Sequence, residues 1–420
     1  MTFAYVLSQY PARSETFIAR EIQALVDAGH QVHILRMRWS DTATGVEVQG
    51  ASVSPVLLRP DCVARGLAWV ARGGRDEGAA IARMIRALPA TWGMRLRLAG
   101  VGLAACAGAA WLHGKQVDHV RAHFMDVEAT GAFWMSELLG CSFSITVQTT
   151  TCRLPESLLQ SILEAASLRV ATTTETRRFL SEQCPSEPQT TVRSGLRTAN
   201  IPVRPATTAH NPFRVLAVGR LIPKKGFDLL IRACARIRHD LNAARGQPPW
   251  SLTIIGDGPR RHDVERLARE LSVQDAVTFR GALPFQDVQD AYTQADLLVV
   301  PSRRDAETSD TDGLPNVLIE ASAAGLPVVG TRIGGIQDLV QSGETGILVP
   351  PDDVTALVRG IERVQADYGA ALDRARRAQA YVRSHFDLDG EVARLVDAIR
   401  KTTDAQNVPA STSKNGEPKT

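Results

Sequence analysis

Apolar and polar positions along this chain alternate between two periods, a strand run followed by a helical repeat. Phe3 to Leu7 is continuously apolar, as in a buried strand. Glu15 to Ala28 repeats its apolar positions every three to four residues and stops at Gly29, and Gln31 to Arg36 is a strand again. This order opens a parallel sheet. Ser14 stands in N-cap position, so its loop falls at the carboxyl edge of the first strand, where open α/β sheets bind ligands. The same rhythm predicts helices over 129–139, 158–165 and 174–183, and strands over 142–147 and 168–171.

Residues 198–213 carry Pro202, Pro205 and Pro212 and no periodicity, which reads as a linker. A second series follows, with strands over 214–218, 250–255, 276–279 and 296–300 and helices over 227–239 and 285–295. Helices close the chain over 354–365, 372–386 and 391–402. The expected organisation is a first Rossmann-like domain over 1–205 and a second over 206–380. A helix over 381–402 and a polar, disordered tail over 403–420 would follow. Two such halves leave a cleft, the default ligand site.

Composition narrows this only slightly. The 420 residues can build two full cores, and a net charge of +3 gives no sign of a nucleic-acid partner. The start lacks the basic-then-apolar order of a signal peptide, and the six scattered cysteines fit a reducing compartment. The longest apolar run, 98–112, falls short of the roughly 20 residues that span a bilayer. Between Arg59 and Arg97, eight arginines face three acids, with Trp69 and Trp92 among them. That is either a solvated helical face or a patch for anionic lipid headgroups. His119 and His123 lie four apart, but their neighbours alternate as in a strand, which argues against a helical metal pair.

The most informative stretch is Asp312–Gly335. It reads as an acidic loop with Gly313 and Pro315, a helix from Asn316 to Ala324, a C-terminal Gly325, Pro327, and a short strand at Val328–Val329. Free amides at the helix start favour an anion, and Glu320 further along could hold sugar hydroxyls. An ordinary α/β unit with a solvated glutamate has the same pattern.

Taken together, Gly219-Arg220-Leu221 with Lys225-Gly226, Gly256-Asp257-Gly258-Pro259, and Asp312-Gly-Leu-Pro-Asn-Val-Leu-Ile-Glu320 resemble the family-4 retaining glycosyltransferases of the GT-B fold. In the first half, Ser14-Glu15-Thr16-Phe17-Ile18, His119-Val-Arg-Ala-His123-Phe124 and Ser144-Ile-Thr146 are similar to the colanic-acid and amylovoran exopolysaccharide branch. The resemblance implies transfer of a hexosyl group from a nucleoside-diphosphate sugar to a lipid-linked or oligosaccharide acceptor. No cofactor or metal is implied, and the work would be done in the cytoplasm at the inner membrane face. The last helix would cross back onto the first domain.

The resemblance also implies roles. Arg220 and Lys225 would grip the diphosphate, Glu320 the ribose, and Asp312 the donor sugar. The amides of Leu314, Pro315's neighbour Asn316 and Val317 would face sugar and phosphate, Gly256 and Leu283 would border the base, and Ser14 and Glu15 would lie on the acceptor side. Two departures stand out. Asp312 replaces the family's first glutamate, and Gln148, followed by three threonines, replaces a histidine near the reacting sugar; His123 is the nearest substitute. Asp310-Thr311-Asp312 also spells a metal–nucleotide motif of the other glycosyltransferase fold, but Arg220 and Lys225 already supply that charge. An epimerase or a phosphorylase on this scaffold needs acid/base or cofactor-lysine signatures that are not seen. A non-catalytic scaffold would have no need to keep the donor grip.

Overall fold

A computed structural model describes residues 1–12, 15–38, 47–73, 75–86, 91–185, 188–205, 208–242 and 250–407. Its first half runs β1 (Thr2–Leu7), α1 (Thr16–Asp27), β2 (Gln31–Arg36), β3 (Ser52–Val56), α2 (Pro60–Arg72), α3 (Arg75–Arg86) and α4 (Trp92–Leu112). It continues with β4 (His119–His123), α5 (Val127–Leu139), β5 (Ser142–Val147), α6 (Glu156–Ala165), β6 (Leu168–Ala171), α7 (Thr174–Gln183) and β7 (Gln189–Thr191). These strands form one parallel sheet in the order β3-β2-β1-β4-β5-β6-β7.

The second half runs β8 (Phe213–Val218), α8 (Phe227–Asn242), β9 (Trp250–Ile255), α9 (Arg261–Glu270), β10 (Val277–Gly281), α10 (Phe285–Gln294) and β11 (Leu297–Val300). After these come α11 (Asn316–Ala323), β12 (Val328–Thr331), α12 (Ile336–Leu339), β13 (Ile347–Val349), α13 (Val354–Ala366), α14 (Tyr368–His385) and α15 (Leu388–Asn407). Its parallel sheet has the order β10-β9-β8-β11-β12-β13. In both sheets the strand order reverses beside the first strand, at β1/β4 and β8/β11. The loops leaving those strands therefore meet at the carboxyl edges, where a crevice opens.

The strand runs were legible because parallel strands covered on both faces must be apolar throughout. β3, β7 and β13 were not foreseen. β3 and β7 are short, polar edge strands, and Pro55 is tolerated in β3 at the sheet margin. α4 begins six residues before the apolar run that pointed to it. It is long and apolar enough to cross a bilayer, yet half of it is buried against the first-half core, with Gly66 of α2 pressed onto the backbone at Cys106–Ala107.

The segment read as a free linker is anchored. Arg204 forms a fully buried ion pair with Asp296 at 3.0 Å and donates to the Ala295 carbonyl at 2.7 Å. The return crossing comes later than expected. α14 stays with the second half, where Phe386 is buried, and only α15 crosses to pack on α1. Leu196 N–H donates to the Phe386 carbonyl at 2.8 Å, so the two crossings run side by side. The final helix continues to Asn407, past the expected end at 402; residues 408–420 of the expected tail lie outside the described residues.

Candidate functional site

On the second half, the site is built from the loops that follow β8, β9 and β11 and from the start of α11. The β8 loop turns at Gly226, where φ is +64° and a side chain would strike the Pro301 carbonyl. This turn brings Lys225 Nζ to 2.9 Å from Asp312 Oδ2. Lys224, which the sequence reading passed over, lies 2.7 Å from Asp310 Oδ2 and 3.8 Å from Asp312 Oδ1. Ser302 Oγ donates to Asp312 at 2.5 Å. Burial pushes the Asp312 carboxyl upward, but Lys225, Lys224 and Ser302 outweigh it and hold the group below the ordinary aspartate range. Both acids of the Asp-x-Asp run are thus held by lysines, and among the described residues no cluster of metal-ligating side chains forms.

α11 starts after Pro315 with no side-chain cap, so the first-turn amides of Asn316 and Val317 have no capping side chain beside Leu314. Glu320 is not the solvated glutamate of the simpler reading, being only 4 % exposed. Its Oε2 accepts from the Tyr292 hydroxyl at 3.0 Å, and its Oε1 pairs at 2.5 Å with Arg20 of the other half. Arg220 is exposed on the same edge. Gly256 N–H donates to the Gly281 carbonyl at 2.8 Å, joining the β9 and β10 loops. Leu283 is part-buried and lines a cavity of about 500 Å³ with Ile255, Arg280 and Asp287, which includes none of the other expected donor residues.

On the first half, Glu15 occupies the N-cap of α1 without capping it, and Ser14 lies outside the described residues. Glu15 is pushed up to about 7 by burial and by nearby Glu128, with Arg220 across the cleft pulling the other way. Glu128 is itself buried. One of its oxygens accepts from Ser8 and the other has no partner, and burial raises it too.

Below this edge His123 is 1 % exposed. Its Nε2 lies 3.1 Å from Glu21 Oε1, and its Nδ1 lies 3.5 Å from Gln148 Nε2. Arg121 Nε and the Tyr5 hydroxyl also donate to Glu21, at 2.8 and 2.7 Å. Burial would raise Glu21, but Arg121 and the hydrogen bond from His123 prevail and hold it below the ordinary glutamate range; burial lowers His123 despite Glu21. His123 is therefore a neutral ring beneath Gln148 rather than a group on the cleft surface.

The halves touch at this point. The Gln148 backbone carbonyl would clash with a Cβ on Gly313, and the Thr173 methyl group with one on Gly335. Asp338 Oδ2 accepts from the Thr174 amide at 2.7 Å. The structure thus brings Gln148, Asp312 and the α11 start together, with Glu15 facing Arg220. Arg20, Lys224, Ser302, Tyr292 and Glu128 were missed because no spacing marks them; Arg20 is one cation among 48.

Residues 212–367 match the family Glycosyl transferases group 1. The second half carries a group 1 glycosyl transferase domain. A GDP-mannose-dependent α-(1-6)-phosphatidylinositol monomannoside mannosyltransferase of Mycolicibacterium smegmatis is 34 % identical over 175 residues, 42 % of this chain and 43 % of that protein. An amylovoran biosynthesis glycosyltransferase of Erwinia amylovora is 28 % identical over 224 residues, 53 % of each chain. The chain spans about half the length of these curated relatives. In fold it is similar to the sucrose-phosphate synthase of Thermosynechococcus elongatus, with a TM-score of 0.73, 20 % identity, and coverage of 96 % of this chain and 99 % of that one. The two halves together form the GT-B arrangement.

Proposed function

We propose that this protein is a retaining, metal-independent glycosyltransferase that moves a hexosyl group from a nucleoside-diphosphate sugar to a lipid-linked or oligosaccharide acceptor. The observation that carries this is the meeting of Lys225, Asp312 and the uncapped start of α11, all within the group 1 domain, with Gln148 of the other half across the cleft. The donor would lie over residues 206–380 and the acceptor over 1–205. The bond from the anomeric carbon to the diphosphate oxygen breaks, a bond to the acceptor hydroxyl forms on the same face, and the acceptor proton leaves with the diphosphate. Charge grows on the leaving oxygen, and Arg220, Lys225 and the α11 amides would stabilise it. Glu320 would take the ribose hydroxyls, and Gln148 would position a sugar hydroxyl through its amide.

The acceptor side supports work at an anionic membrane surface. Trp92, Leu96 and Leu103 are exposed at helical spacing on one face of α4, and Leu67 of α2 is exposed as well. Exposed Arg72, Arg86 and Arg95 accompany them.

A calorimetric screen of UDP-, GDP-, ADP- and dTDP-sugars, followed by NMR of the product anomer, tests the proposal. One donor should bind and transfer with retention. Binding of none, or binding without transfer or hydrolysis to any glycan acceptor, would overturn it.

A further inference from the structure

The ribose carboxylate of the proposed donor site is already in use by the protein itself. Arg20 projects from α1 in the first half, and its Nη2 lies 2.5 Å from Glu320 Oε1 in the second. Both side chains are well covered, at 19 % and 5 % exposure. The Arg20 guanidinium also rests over the Phe285 ring, 4.9 Å from its centroid, at the start of α10. Tyr292 of the same helix holds the other Glu320 oxygen at 3.0 Å. Glu320 therefore has one oxygen fixed within its own half and one taken by the opposite half.

A carboxylate that grips a ribose needs lone pairs for two adjacent hydroxyls. Tyr292 and Arg20 each occupy one of the roughly four acceptor positions of Glu320, and the rest of the carboxylate is covered, at 5 % exposure, so a diol cannot reach both oxygens with Arg20 in place. We infer that Arg20 is a specificity and positioning residue of the donor site, which competes with the ribose of a nucleoside diphosphate for Glu320 and so links donor occupancy to the contact between the two halves. This rests on the donor-site reading above.

The physical basis is the cost of leaving a covered carboxylate unpaired. Arg20 keeps the Glu320 carboxylate paired and aimed, and a ribose diol can replace it only by offering comparable hydrogen bonds. A ligand without the diol cannot offer two. Arg20 thereby makes the site select for ribose over deoxyribose, and it lets go of one interdomain contact when the correct ligand arrives. By linkage, whatever strengthens that contact weakens nucleotide binding by the same factor.

The test is a double-mutant cycle by calorimetry with GDP, UDP and their 2′-deoxy forms, on wild type, Arg20→Met, Glu320→Gln and the double variant. Arg20→Met should bind the preferred ribonucleotide about fivefold more tightly or better and should discriminate less against its deoxy form. In the Glu320→Gln background the Arg20 substitution should have no such effect. Arg20→Lys should behave nearly as wild type. Should Arg20→Met destabilise the fold, Arg20→Gln serves in its place. Weaker binding by Arg20→Met, or an effect that persists without the Glu320 carboxylate, overturns the competition while leaving the donor site standing. Absence of binding by every variant, to every nucleotide, removes the donor-site reading itself.

Discussion

Lys225 Nζ lies 2.9 Å from Asp312 Oδ2, so the cation expected on the diphosphate and the carboxylate expected on the sugar are partners. Each fixes the other's position, and their substitutions should not be additive. Lys225→Ala leaves a buried carboxylate with Ser302 and a distant Lys224, a loss of about 3 kcal/mol at neutral pH. The sign of the pH dependence follows from Asp312, whose carboxyl is held low in the fold. Its stabilisation is complete above the unfolded aspartate value and lost as pH falls through the lower folded one. The deficit of the variant, followed by urea unfolding, should therefore shrink as pH drops below about 4.

Glu15 gives the opposite dependence. Its carboxyl is raised to about 7 by burial and Glu128, so the folded protein holds a proton there that the unfolded chain has already released. Stability should fall as pH rises from the unfolded glutamate value towards 7. Glu15→Gln should match wild type near pH 4.5 and exceed it at pH 8 in thermal unfolding. An equal difference at both pH values would disprove the assignment.

In kinetics the same group should appear as a limb near pH 7 that Glu15→Gln removes. His123→Asn should leave that limb in place, because His123 is buried and held neutral. Gln148→Ala should lower turnover about tenfold by losing one positioning hydrogen bond of ~1.5 kcal/mol. A limb abolished by His123→Asn would return the proton transfer to that ring.

Gly313→Ala puts a methyl group onto the Gln148 carbonyl. The interface must then open by a few tenths of an ångström or more, at a cost of about 1–3 kcal/mol. Turnover should drop while free nucleoside diphosphate binds no more weakly than to wild type, since the clash is between the halves. Unchanged turnover would mean that the halves need not close here.

The exposed face of α4 predicts sedimentation with vesicles containing phosphatidylglycerol. Trp92→Ser with Leu96→Ser should reduce it strongly, and 0.5 M salt should weaken it, while transfer to a short soluble acceptor persists. Salt-independent sedimentation would leave the arginines without a part in it.

What the sequence by itself determined was local. The strand runs at Phe3–Leu7 and Arg214–Val218, the helix after Pro315 and the helix stop at Gly29 follow from apolar period and backbone freedom, properties of neighbouring residues. These were enough for two sheets and for the motif residues at their carboxyl edges. Pairing across the cleft was decided only by the tertiary structure. Arg20 and Glu320 are 300 residues apart, and no period or spacing connects them. Likewise, Arg204 looked like a linker residue until Asp296 buried it, and His123 looked available until Tyr5, Phe17 and Glu21 enclosed it. The charge state of a carboxylate or an imidazole depends on what burial removes and what distant partners return, and only the folded arrangement supplies both.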